Sequence, residues 1–136
     1  MSREEKEQLK LSVYNEGMRY LDNAVKTLNE KAKPRGIIYD DKKYVRTAGH
    51  QAYCGVLYAL DKTGLIKLKS NQRPDVKDYR EALAKNNRKM LDYFNHCYKE
   101  FHLDYGYDGM GNPRTLKEYM KYAEDLIRWA ANKAAA

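Results

Sequence analysis

The side chains able to move a proton near neutral pH are His50, His96 and His102, and their spacing is the first test for chemistry. His96 and His102 stand six residues apart, so they do not share a helix face, unlike the four-residue spacing of helical zinc motifs. Metal ligation by His96, His102 and Asp104 is therefore set aside. Cys54 and Cys97 both fall in apolar helical patterns and read as buried thiols, neither nucleophiles nor a disulfide. No Ser/His/Asp or Cys/His arrangement is visible. The densest run of glycine, aspartate and tyrosine is His102-Leu103-Asp104-Tyr105-Gly106-Tyr107-Asp108-Gly109, continuing through Met110-Gly111-Asn112-Pro113. Its glycines are spaced G-x-x-G-x-G and follow a helical pattern where a phosphate cradle follows a strand, so the run reads as a helix-ending connection. What remains for it is contact through carboxylates and aromatic rings.

Four amphipathic stretches position that run. Ser2 with Glu5 forms a capping box, and Leu11, Tyr14, Met18, Leu21, Val25, Leu28 and Ala32 recur at helical steps behind it. Lys33-Pro34-Arg35-Gly36 ends that helix. Ile37-Ile38-Tyr39 is too short and isolated for a paired strand and should fold back over the end of the core. A second helix starts near Asp40 or Asp41 with Val45, Ala48, Ala52, Val56 and Ala59 on one stripe and Tyr53, Leu57 and Leu60 beside it. Gly49, Ala52, Gly55 and Ala59 leave room for a neighbouring backbone, and Thr63-Gly64 closes the helix. After a polar loop over 67–74, Asp75 caps a third helix with Val76, Tyr79, Leu83, Met90, Phe94, Cys97 and Phe101 on its seam. Asn87 falls on that seam as a polar contact inside the core. Thr115 with Glu118 opens a fourth helix carrying Leu116, Tyr119, Ala123, Ile127 and Ala130. The expectation is an all-α fold, one domain over residues 1–136, arranged as an antiparallel up-down-up-down four-helix bundle.

That alternation puts the first and third connections at the same end. Arg35, Lys42, Lys43 and Arg46, with Lys31 and Lys33, would then form a basic collar beside Asp104, Tyr105, Tyr107 and Asp108. A formal net charge of +7 agrees with an anionic partner, although acidic residues are interspersed with the basic ones. The 13 tyrosines can stack on bases, line a protein interface, or ring a small core with hydroxyls outward. No apolar run approaches a membrane span and no signal peptide is visible, so the chain reads as cytoplasmic with no membrane contact.

Tyr20-Leu21…Ala24…Leu28, Ala52-Tyr53-Cys54-Gly55-Val56-Leu57-Tyr58-Ala59-Leu60 and Asp104-Tyr105-Gly106 resemble the HEPN superfamily of small four-helix bundles, and the chain is also similar to an uncharacterised bacterial branch of short helical proteins classed as a domain of unknown function. The resemblance implies a nucleotide-binding heritage and, in ribonuclease members, an arginine and a histidine with four to six residues between them. Here Arg46 and His50 have three residues between them, Arg88 and His96 have seven, and Glu100 stands near the arginine's place. A carboxylate there repels phosphate. The sequence thus points to a non-catalytic binding or assembly module, a homodimer, with no cofactor and no metal. Its contact residues would be Asp104, Tyr105, Tyr107, Asp108, His102, Arg35, Lys42, Lys43 and Arg46. The alternative is a degenerate HEPN-type ribonuclease in which His102 and Tyr105 act, or a nucleotide- or RNA-binding protein; a protein partner is the third reading.

Overall fold

The structure, a computed structural model, describes residues 1–67 and 72–136. Its elements are α1 (Arg3–Glu30), the two-residue strands β1 (Pro34–Arg35) and β2 (Ile38–Tyr39), α2 (Lys42–Asp61), α3 (Val76–Asn86), α4 (Arg88–Cys97), a π-helix (Tyr98–Tyr107) and α5 (Leu116–Ala134). The fold is all-α apart from the two short strands. The polar loop expected over 67–74 lies partly outside the described residues. Among the described residues, no helix is long and apolar enough to cross a membrane.

The Ser2 capping box forms as expected, with Glu5 N donating to Ser2 Oγ at 3.1 Å and Ser2 N to Glu5 Oε1 at 3.2 Å. The buried face of α1 differs from the expected seam. Val13, Gly17, Leu21, Ala24 and Leu28 turn inward, while Leu11 is 56% exposed. Small residues decide this rotation: a Cβ on Gly17 would lie 2.7 Å from Ile127 Cγ2, and one on Gly55 would lie 2.9 Å from the Gly17 carbonyl. The helices approach where side chains are absent, at Gly55 as the small residues of α2 lead one to expect and at Gly17, which a count of large apolar residues on α1 overlooks.

The chain after α1 reverses through Lys33 (φ 54°) and Gly36 (φ 62°). Pro34 pairs with Tyr39 and Arg35 with Ile38, antiparallel, correcting the expectation that Ile37-Ile38-Tyr39 has no strand partner. The partner is the segment just before it, so the closed loop is minimal and costs little entropy. Tyr39 turns into the core, whereas Ile37 (60% exposed) and Ile38 (43%) stay outside. Asp41 caps α2 by accepting from Lys43 N at 3.2 Å. Val45, Ala48, Ala52, Val56 and Ala59 are buried as the periodicity requires, and Gly64 takes the left-handed conformation after the helix.

The third helix is broken where continuity was expected. Asn87 (φ −165°, ψ 103°) is extended; its N–H donates to Leu83 O, and its Oδ1 accepts from Met90 N at 3.2 Å. It therefore ends α3 and caps α4, and is no core contact within one helix. Asn86 Nδ2 donates to Ala82 O at 2.7 Å, adding to the close of α3. Asn87→Ala should lower unfolding free energy in urea by about 1 kcal/mol, the usual value of an N-cap.

Beyond Phe101, the last residue expected on the seam, the helix runs on where a connection was expected. Phe94, Cys97, Phe101 and Tyr105 are all buried, and residues 98–107 form the π-helix. Thr115 does not cap α5: its backbone (φ −103°, ψ −3°) is close to helical, and its hydroxyl donates to Asn112 O at 3.3 Å. α2 packs against α1, the π-helix and α5; α1 also meets α5, and α4 meets α3 and α5. The buried side chains form one contiguous core. Cys97 lies in it, whereas Cys54, expected to be buried, is exposed.

Candidate functional site

π-Helical turns are rare and concentrate at functional sites. Here the turn is fixed by close contact with α2. A Cβ on Gly49 would lie 2.5 Å from Gly106 N and 2.6 Å from Phe101 O, so backbone meets backbone at this crossing. The wider winding drives Tyr105 inward, where it is fully buried. Its ring meets Tyr39 edge-on at 5.8 Å and Phe101 at 6.0 Å. Gly111 leaves room for it, since a Cβ there would stand 2.2 Å from Tyr105 Cζ. The Tyr105 hydroxyl donates to Asn112 O at 3.3 Å and lies 3.5 Å from the Tyr39 hydroxyl. One ring thus ties the strand pair, the π-helix and the 108–115 connection together.

Above that ring opens a cleft of about 590 Å³, lined by Ile37, Ile38, Tyr39, Lys42, Glu100, Asp104, Asp108 and residues 109–112. Its lips are apolar: Ile37, Ile38 and Met110 are among the exposed large hydrophobic residues. Glu100, Asp104 and Asp108, four residues apart, line one wall. Among the described residues, Glu100 is the buried charged side chain, at 8% exposure. Burial first, then the neighbouring Asp104 carboxylate, push its pKa up. Asp104 accepts from Lys99 Nζ at 2.9 Å. Asp108 is exposed.

The expected contact residues divide sharply around this cleft. Lys42, Asp104 and Asp108 line it. Tyr105, expected at the surface, is a core residue, because the run holding it is helix and not loop. Tyr107 is 76% exposed and is not part of the lining, and its carbonyl accepts from Arg46 Nε at 3.4 Å. Arg35 is taken up by Asp40 at 3.1 Å on the surface, and the Lys43 ammonium lies 5.5 Å from the Tyr44 ring. Of the four basic residues, Lys42 lines the cleft and Arg46 lies beside the same run, against Gly109 and the Tyr107 carbonyl, while Arg35 and Lys43 are not part of the lining.

His102 belongs to a separate cluster. Its ring lies 4.7 Å from Tyr53, 5.2 Å from Tyr98 and 6.4 Å from His50. Its Nδ1 is buried without a hydrogen-bond partner, and burial, then the nearby His50, hold its pKa below the ordinary value. Among the described residues, no group of three or more His, Cys, Asp or Glu side chains is placed to hold a metal ion.

The residues the sequence reading missed are Glu100, the apolar lips and the floor made by Gly111 and Asn112. Glu100 carried a signal, an acid where an arginine was sought; Ile37, Ile38 and Met110 carried none, since single exposed apolar residues are ordinary.

No curated protein matches the chain. Among solved structures it is similar to a protein of unknown function from Dyadobacter fermentans, at 38% identity and a TM-score of 0.82, over 88% of this chain and 94% of that one. A family model described as a domain of unknown function, DUF5618, matches residues 12–132, and with nearly the whole helical core inside that span the chain belongs to the DUF5618 family.

Proposed function

We propose that this DUF5618 chain is a non-catalytic binding module whose contact surface is the cleft between the strand pair and the π-helix. The observation that carries this reading is the convergence, in one concavity, of the exposed Ile37, Ile38 and Met110 with a carboxylate wall. A largely apolar cleft with a few placed polar groups is the ordinary form of a ligand site. We read the frame holding it as an antiparallel four-helix arrangement in which α4 and the π-helix act as one leg. The HEPN likeness enters as a likeness of that frame.

Binding is favoured over catalysis by the state of the reactive groups. Burial pushes the Cys97 thiol and the Tyr105 hydroxyl up, and His102 is turned into aromatic rings away from the cleft. Phosphate recognition is disfavoured by sign: three carboxylates and one ammonium line the cleft, the reverse of a nucleotide site. A soluble-fragment screen followed by ¹H–¹⁵N NMR should place ligand-dependent shifts on residues 37–39, 104 and 109–112. Ile38→Glu with Met110→Glu should abolish them. Hits that all map to a second groove, lined by Met18, Leu21 and Val25 of α1 and by Lys117, Met120 and Lys121 of α5, or turnover of RNA by the purified protein, would overturn the reading. A second copy of the chain is the assembly form of the same proposal; sedimentation would show it as a concentration-dependent dimer that the same double variant dissociates.

A further inference from the structure

We propose that the ligand of this cleft is an organic cation, a primary ammonium carried on a short apolar chain, with the ammonium on Glu100 and the chain between Ile37, Ile38 and Met110. This rests on the reading of the cleft as a binding site and adds its chemistry.

Glu100 is the group that requires it. The side chain is 8% exposed, it lines the cleft, and the Asp104 carboxylate beside it adds like charge. A carboxylate held largely out of water beside a second carboxylate is costly to keep ionised. The adjacent Lys99 relieves it only in part, because its ammonium is held by Asp104 at 2.9 Å and is itself 72% exposed, and Lys42 is one ammonium against the three carboxylates of the lining. Asp108 adds a carboxylate at the rim. An entering ammonium brings three donors and the positive charge that the wall is short of. The apolar lips exclude a bare inorganic cation as the best fit, since a strongly hydrated ion gains nothing from Ile37, Ile38 and Met110. A cleft of about 590 Å³ falls in the ordinary range for small ligands.

The chemistry has two sources, a free alkylamine and a lysine side chain of a peptide. Hexan-1-amine hydrochloride and acetyl-Gly-Lys-Gly-amide are titrated in parallel against ¹⁵N-labelled protein with ¹³C-labelled glutamate. Sodium chloride of equal ionic strength, hexan-1-ol and inorganic phosphate serve as controls. The expected result is saturable movement of the Glu100 carboxyl resonance and of the amides of 108–112 with one or both amines. Glu100→Gln should weaken binding about tenfold or more, the usual loss for a hydrogen bond to a charged group. Stronger binding of hexan-1-amine than of the peptide assigns the site to free amines, and the reverse to a lysine side chain. Equal binding of hexan-1-ol and hexan-1-amine would overturn the cation while leaving the cleft a binding site; no response at the cleft to any compound, alcohol included, would count against both. Unchanged affinity in Glu100→Gln would also overturn it.

The variant doubles as its own folding control. Around Glu100 stand Lys99, Asp104, Glu118, Tyr39, Tyr105 and Tyr119, with Lys42 and Asp108 lining the same cleft. Its carboxyl pKa is raised on folding, so the neutral form adds stability at low pH and that contribution is lost as pH rises through the raised value. At neutral pH Glu100→Gln should therefore melt no lower than the parent while losing the ligand. The exposed Asp108→Asn provides a second arm, with a smaller loss of affinity and no change in melting; a loss equal for hexan-1-amine and hexan-1-ol would refute the charge argument.

Discussion

Tyr105→Ala should lower the unfolding free energy by about 4 kcal/mol, within the range for removing a large buried aromatic side chain. The ring is fully buried and is the largest of the fully buried side chains. It also lies where collapse into the vacated space is hardest. On one side stands backbone, since the position above Gly49 is occupied by Gly106 N, Phe101 O and Tyr105 Cβ; on another stands Gly111, which has no side chain to swing in. Tyr39 and Phe101 meet the ring edge-on and lose that packing together. Urea denaturation followed by circular dichroism measures the loss. Tyr105→Phe separates packing from hydrogen bonding: Asn112 O keeps Thr115 N at 3.1 Å and Thr115 Oγ1 at 3.3 Å when the Tyr105 hydroxyl is gone. Its cost should stay below about 1 kcal/mol, because the acceptor is not orphaned. A phenylalanine variant as damaged as the alanine one would refute the packing account.

Much of this frame is legible in residue spacing. The inward stripe of α2, the capping box at Ser2 and the cap at Asp75 follow from side-chain type and period, and the structure has them where the pattern puts them. The small residues of α2 do admit a neighbouring backbone, as Gly49 and Gly55 show, whereas on α1 the large apolar residues mark the wrong face and Gly17 sets the rotation. Asn87 looked like a polar core residue because the periods of α3 and α4 happen to run in phase across the break. The Asp/Tyr run looked like a loop because its glycines were read as turn formers. Gly106 is instead buried, in a π-helical turn packed on another helix. A π-helix has no local composition of its own and depends on its tertiary neighbour. That tilted the site reading as well: with the run recast as helix, Tyr105 goes inward and Glu100 joins Asp104 and Asp108 on one wall.

Gly49→Ala tests that recasting, and its expected cost is about 3 kcal/mol, at the upper end for overpacking. Intrinsic propensity argues the other way, since glycine to alanine inside a helix is worth up to about 1 kcal/mol in favour of the variant. Sterics decide the sign. The added Cβ would stand 2.5 Å from Gly106 N, 2.6 Å from Phe101 O and 2.7 Å from Tyr105 Cβ. Two of these are backbone atoms and the third is fixed to backbone, so no rotamer change can relieve the overlap. α2 and the π-helix must move apart, and the buried contacts that Ala48, Ala52, Phe101 and Tyr105 make across the crossing loosen with them. Gly17→Ala is the comparison: its new methyl meets the Ile127 side chain at 2.7 Å, a group with torsions of its own, so its cost should be smaller. Thermal unfolding should rank Gly49→Ala well below Gly17→Ala, and hydrogen exchange should quicken at 101–109 in the former. If the ranking were reversed, the π-helix would not be held by α2. The cleft wall would then owe its shape to the 108–115 connection, where Met110 N donates to Asp104 O at 2.8 Å and Gly109 N to Tyr105 O at 3.0 Å.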